Sequence, residues 1–232
     1  MAEKTGMSRR DLKSPDEFIS TFGRTVDWCK ENRTKFAAGA IGVVAVLGLV
    51  LGTQAYLQWK ESKSARDLWP TLDRAQQFLQ APSAADPSQL AAVEQFLQEH
   101  VRTHPNTRAI VYSLYYLGSI AFSRGDYDLA IRQFRAGIAT GKEAGIMKYL
   151  LREGIATSLE AKGDFAAAAG AYRDAAAVAE ANLKTQSRMG EARVLGLAGK
   201  KTEAIALYRL ILKENPETPL RNLVEIQLAQ SE

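Results

Sequence analysis

Few polar side chains stand at spacings that chemistry uses. His100 and His104 are four residues apart, the spacing that sets two imidazoles on one helical face as metal ligands. The intervening Val-Arg-Thr lacks a metalloprotease's glutamate, and Pro105 ends a helix directly after the pair, so two exposed histidines at a helix end are expected. Ala136-Gly-Ile-Ala-Thr-Gly141-Lys142-Glu143 approaches a phosphate-cradling Walker A loop. Glu143, however, occupies the place of the magnesium-ligating Ser or Thr, and the stretch follows a helical pattern rather than a strand. It reads as a turn between helices. Cys29 is the only cysteine, so neither a four-ligand zinc site nor a disulfide framework can be built from it and two histidines. Beyond residue 60 there is no cysteine and both histidines share one turn, so no Ser/His/Asp or Cys/His set can be assembled there. No catalytic, cofactor-binding or metal-ligating residue is assigned, and no enzyme or small-molecule substrate is expected.

The elements that would position any site come next. Of 232 residues, 46% are apolar and 24% charged, the balance of a folded chain. A formal charge of +4, scattered along the chain, gives no footprint for nucleic acid. Lys35 and Lys60 bracket an uncharged run, 36–59, of 24 residues. About 20 apolar residues span the hydrocarbon of a bilayer, and Tyr56 and Trp59 at the far end suit the headgroup layer. A transmembrane helix over 36–59 is therefore expected. Thr53 and Ala55 leave open a cleaved signal, which would release a soluble form. Arg24, Lys30, Arg33 and Lys35 precede the run, and Lys60, Lys63 and Arg66 follow it. This slight bias favours a cytoplasmic tail, 1–35, and export of the remainder. Gly48 and Gly52 fit a small-xxx-small pattern, but glycine in so apolar a run reads first as lipid-facing filler.

After the anchor, apolar residues recur at helical spacing with no strand-like alternation. Breaks fall at 81–87, His104-Pro105, Gly125-Asp126, Gly141, Gly163-Asp164, Gly199 and Asn215-Pro216. Asp86-Pro-Ser-Gln89 reads as a cap for a helix running to about Thr103. Segments 111–142, 149–180 and 185–216 align on Gly125, Gly163 and Gly199. Five residues after each glycine stands Ala130, Ala168 or Ala204, and nine after stands Phe134, Tyr172 or Tyr208. Seven before stands Gly118, Ala156 or Ala192, and twelve after stand Gly137, Ala175 and the bulkier Ile211. Small residues let paired helices approach, glycine supplies the left-handed turn, and the ring fills the gap toward the next pair. One hairpin cannot bury its own apolar face, so the units must stack.

Leu114-Tyr-Tyr-Leu117-Gly118, Gly125-Asp-Tyr-Asp-Leu-Ala130-Ile and Phe134, with Pro216 closing the third unit, resemble the tetratricopeptide repeat. Ala121, Arg152 and Arg188 depart from its pattern, as do longer loops between units. The implied fold is all-α: an N-terminal single transmembrane helix followed by a tetratricopeptide-like solenoid. Its expected parts are a leading hairpin over 60–106, three repeats over 107–216 and a capping helix over 217–232. The layout of tail, anchor, Ser64-Ala-Arg and the stretch from Phe96 to Ala109 is similar to the YfgM-type family of ancillary subunits of the bacterial SecYEG translocon. That resemblance implies an inner-membrane protein with a periplasmic repeat domain, whose partners are SecYEG and a membrane-anchored periplasmic chaperone. A cell-envelope assembly or division scaffold, or a cleaved soluble periplasmic carrier, has the same layout.

In the repeat pattern the inner face is lined by set positions of each first helix. Here these are Tyr112, Tyr115, Ser119 and Phe122, then Leu150, Glu153 and Thr157, then Met189 and Arg193. Rings on a groove suit an extended or helical peptide, and packing of Tyr112 and Phe122 against loops or the leading hairpin is the competing expectation. The lysine and asparagine positions of a carboxylate clamp hold Tyr115 and Ser119, so recognition of a chain-terminal carboxylate is not expected.

Overall fold

A computed structural model describes residue 23 and residues 26–28, 30–80 and 86–231. Cys29, Arg24, most of the N-terminal tail and the expected break at 81–85 lie outside the described residues. Among those described, the regular elements are helices: α1 (Arg33–Gln80), α2 (Pro87–Thr103), α3 (Ala109–Ser123), α4 (Tyr127–Ala139), α5 (Met147–Ala161), α6 (Phe165–Val178), α7 (Ala181–Leu197), α8 (Lys201–Glu214) and α9 (Arg221–Ser231). The chain divides into two units, Met1–Gln58 and Trp59–Glu232. In the first, none of the most apolar 18-residue stretch of α1 is buried in protein, and the helix has the length and composition to cross a membrane.

The first arm of the leading hairpin is the C-terminal part of α1, which runs on to Gln80. Lys60-Glu-Ser-Lys-Ser-Ala-Arg-Asp67 contains no glycine or proline to stop it. Pro70 lies on an exposed flank of α1 and lacks the N–H that would bond to the Arg66 carbonyl. In the second unit, Leu68, Leu72 and Ala75 of α1 pack with Val93 and Leu97 of α2 and with Ala109, Leu117 and Ile120 of α3. Asp86 caps α2, accepting the Ser88 backbone N–H at 2.9 Å, and Pro87 fills the first turn where no N–H is needed.

The hairpins α3/α4, α5/α6 and α7/α8 turn at Gly125, Gly163 and Gly199, whose φ values are +78°, +84° and +81°. This left-handed backbone strains any residue with a Cβ. The residue after each glycine donates back into the helix just ended: Asp126 to Ala121, Asp164 to Leu159, Lys200 to Leu195.

Phe134 of α4 is wedged between two bare backbones. A Cβ on Gly118 of α3 would lie 2.6 Å from its ring, and so would one on Gly154 of α5. Tyr172 of α6 meets Gly190 of α7 in the same way, at 2.6 Å. Each ring therefore touches the first helix of the following repeat, which is how one hairpin is locked to the next. Ile211, the bulky exception at its repeat position, is fully buried with Tyr208, Ala192 and Val224 of α9.

Candidate functional site: the inner face of the repeats

The expected groove residues lie on α3, α5 and α7, the first helices of the hairpins. Tyr112 and Phe122 keep 36% and 37% of their surface exposed. Tyr115 is half-buried, its ring 6.0 Å from Phe134 and edge-on to Tyr116 at 5.4 Å. Phe122 packs 5.5 Å from Tyr127 of α4. Ser119 donates to the Tyr115 carbonyl at 3.0 Å, and Thr157 to that of Glu153 at 3.0 Å, so both hydroxyls are turned onto their own helices. Leu150 leans on the main core. Met189 is buried with Tyr208, Ile211 and Val224 because α9 packs over that position, so it offers no surface.

Sequence reasoning missed the adjoining part of α1. Trp69 is 60% exposed, and with Ala65, Leu68, Leu72, Ala109 and Tyr112 it lines a mainly apolar cavity of about 370 Å³. Glu61 at its edge accepts the backbone N–H of Arg108 at 2.9 Å, which fixes α1 to the start of α3. The expected groove thus runs beyond Tyr112 onto a helix whose residues carry no repeat signature.

Over α5 and α7 the face is polar. Arg193 grips Glu160 with two nitrogens, at 2.8 and 2.7 Å, and the Tyr172 hydroxyl donates to the same carboxylate at 2.6 Å. Burial pushes the Glu160 carboxyl up, but the hydrogen bonds from Arg193 and Tyr172 outweigh it and hold the group below its usual range. Glu153 accepts from Ser187 Oγ at 2.7 Å, and burial pushes its carboxyl up. Tyr149 beside it is pushed up to about 12, again chiefly by burial.

The histidine pair is not as expected. His100 is 2% exposed, at the junction of three helices. Its Nε2 lies 3.0 Å from Ser64 Oγ of α1 and 3.1 Å from the Ser64 carbonyl, and its Nδ1 lies 2.8 Å from Ser113 Oγ of α3. Ser64 Oγ also meets Thr107 Oγ1 at 2.9 Å. His104 is stacked on His100 at 4.6 Å, with Asp67 3.7 Å from its Nε2. A Ser–His contact therefore exists where none was expected. Both residues are buried, and the second ring nitrogen faces a hydroxyl rather than a carboxylate, so the pair lacks both access and the orienting acid of a nucleophilic dyad. Gly141 has φ +62° in a turn after α4, and Glu143 is 3.4 Å from Arg152, so that segment is the inter-helix turn its context implied.

Residues 154–219 match the family model of the tetratricopeptide repeat. No curated protein matches the chain. Among solved structures it is similar to a crystal structure of kinesin light chain nearly identical TPR-like repeats from Podosopora anserina and to that of a single-substitution form of the same repeats. Each is 16% identical, with a TM-score of 0.58 over 71% of this chain and 84% of the other. The fold is thus all-α, a tetratricopeptide-like solenoid preceded by one long apolar helix. Folds of this class serve as protein-binding scaffolds and are typically non-catalytic.

Proposed function

We propose that the chain is a membrane-anchored docking platform, held by the apolar part of α1 and presenting the inner face of α3, α5 and α7 to partner proteins. The observation that carries this reading is the exposed aromatic stretch Tyr112 to Phe122 beside the Trp69 cavity: rings and apolar walls left open on a stacked scaffold are what peptide grooves are made of. Within that reading, the N-terminal tail is cytoplasmic and the repeats are periplasmic. The partners are the SecYEG translocon and an anchored periplasmic chaperone, as the layout's resemblance implies.

The test is crosslinking in intact cells from a photoreactive residue at position 115. Translocon subunits and a chaperone among the adducts support the full reading. Envelope-synthesis proteins without SecY select the envelope scaffold, and a shortened soluble form selects the cleaved carrier. Changing Tyr115 and Phe122 together to alanine should lower capture while helical content, read by circular dichroism, stays constant. Unaltered capture by that variant sinks the groove.

A further inference from the structure

The inner face holds one carboxylate more than its guanidinium can answer, and the position of that excess indicates what docks there. Glu153 is half-buried on α5, and its hydrogen bond comes from a neutral hydroxyl, Ser187 of α7. Arg193, the cation facing the same two helices, is held in a two-pronged grip on Glu160. Tyr149, 4% exposed and one turn before Glu153, sets its phenol beside the same Ser187 and Glu153 side chains and brings no charge to them. Among the described residues no ion pair within 4 Å engages Glu153, so two carboxylates share one guanidinium. A carboxylate drawn out of water without a cation is strongly disfavoured, and burial accordingly pushes this one up. A cation arriving with a ligand would complete it.

We propose that the inner face of α5 and α7 seats a lysine or arginine side chain of a bound polypeptide against Glu153, while a large apolar side chain of the same polypeptide lies on the aromatic stretch of α3. This rests on the docking-face reading above and specifies its partner. Tyr115 and Glu153 hold equivalent positions in consecutive repeats, and α3 packs directly on α5. Packed helices lie about 8–10 Å apart. An extended chain advances about 3.3 Å per residue, so roughly three residues separate the two anchors. The recognised segment is therefore a basic residue about three positions from an aromatic or large aliphatic one. A metal ion is a poorer fit, since no group of three His, Cys, Asp or Glu side chains gathers among the described residues.

The experiment uses the full chain in phosphatidylcholine nanodiscs, whose zwitterionic lipid does not attract cationic peptides. Three short fluorescent peptides differ at one position: a phenylalanine followed about three residues on by lysine, glutamine or glutamate. Binding is read by anisotropy. The lysine peptide should bind about tenfold tighter than the glutamine peptide, the scale of one charge-assisted contact. The glutamate peptide should bind weakest. Glu153→Gln, nearly isosteric, should erase the advantage of the lysine peptide over the glutamine peptide. Equal binding of all three peptides by the unaltered chain overturns the inference while leaving the docking face intact. A lysine advantage that survives Glu153→Gln overturns it as well. Failure of every peptide to bind removes the docking face itself. Circular dichroism of the Glu153→Gln chain, expected to match that of the unaltered chain, separates a lost lysine advantage from a lost fold.

Discussion

Between the first and second repeats the seam is made by a ring set against bare backbone, Phe134 between Gly118 and Gly154. Between α1, α2 and α3 the seam contains an imidazole and three hydroxyls, with His100 joined to Ser64 and Ser113 and Ser64 joined to Thr107. Both regions bury aliphatic side chains around these features. The difference lies in what a mismatch would cost. Apolar packing fails in proportion to the void or overlap created, and neighbours relax around part of it. A buried polar set tolerates little error, because a group left without its partner keeps the whole cost of desolvation. The ring-on-glycine device suits a repeated seam, where one solution is copied from unit to unit. The hydroxyl–imidazole set suits a junction made once, where α1 must meet α2 and α3 in a single register.

The largest effect should come from emptying the apolar seam. Phe134→Ala should destabilise the repeats by about 3–5 kcal/mol, because the cavity lies between two glycines that have no side chains to fill it. Thermal unfolding in detergent, followed by far-ultraviolet circular dichroism, checks this. A one-dimensional stack should also lose cooperativity at that point, so the transition should broaden or split. A variant that melts as one sharp step with a loss below about 1 kcal/mol would show that the ring does not couple the two repeats.

The polar junction should yield next. Ser113→Ala leaves His100 Nδ1 buried without a partner, since the Ser113 hydroxyl is what faces that nitrogen. A loss of about 1–3 kcal/mol is expected, with the missing protection from hydrogen exchange concentrated in α1 beyond Trp59, α2 and α3. If protection falls equally in α7 and α8, the junction is not a local device.

How much of this could be read from the chain depends on how singular each residue's task is. Gly125, Gly163 and Gly199 were legible because a left-handed turn selects glycine, and Phe134, Tyr172 and Tyr208 because rings at one repeat position stand out. Gly154 and Gly190 carry no such mark: their partners are rings of the preceding repeat, and a repeat signature marks like positions of successive units, not contacts between them. His100 is not legible because a histidine near a helix-ending proline looks solvent-facing until α1 is laid across it. The residue that receives it there, Ser64, is polar and leaves no mark in an apolar periodicity. Trp69 was hidden for a related reason, lying on a helix whose sequence reads chiefly as an anchor. Met189 shows the converse: its repeat position points to the inner face, and packing with Tyr208 and Ile211 of α8 and Val224 of α9 removes it from there.

Titration separates the polar junction from the inner face by sign. Burial, with His104 adding to it, holds the His100 imidazole below its ordinary range against the opposing pull of the Ser64 carbonyl and Asp67. The unfolded chain then takes up this proton first. Stability contributed by the neutral ring is therefore present above the unfolded value of about 6.5 and is lost as pH falls below it toward the folded value. Glu153 acts oppositely: with its carboxyl raised, the folded chain holds that proton longer, so its contribution declines as pH rises from the unfolded carboxylate value to the folded one. His100→Gln should flatten the melting temperature's acid decline below about pH 6.5, and Glu153→Gln should not. Identical pH profiles for the His100 variant and the parent would mean that the ring is not a titrating part of the junction.

The smallest effect expected is a gain, and it tests whether the repeats are copies at their turns as well as at their seams. Asp126 and Asp164 open the second helices of the first two hairpins, each accepting a backbone N–H three residues on, from Leu129 at 3.0 Å and from Ala167 at 3.1 Å. Lys200 stands at the third such position and makes no capping bond, although its backbone (φ −90°, ψ 53°) is close to those of Asp126 (−83°, 72°) and Asp164 (−83°, 69°). A short acceptor there would satisfy an N–H of the first turn that the lysine leaves to water. It would also break the exposed 3.2 Å pair between Lys200 and Glu203, a contact of little worth in solvent. Asparagine avoids setting a new negative charge beside Glu203, so Lys200→Asn should stabilise the third hairpin by about 0.5–1 kcal/mol. The gain should appear as a higher melting temperature in the parent. It should disappear against a Phe134→Ala background if the first seam then melts independently and sets the transition being observed, and it should persist there if all three hairpins still unfold as one.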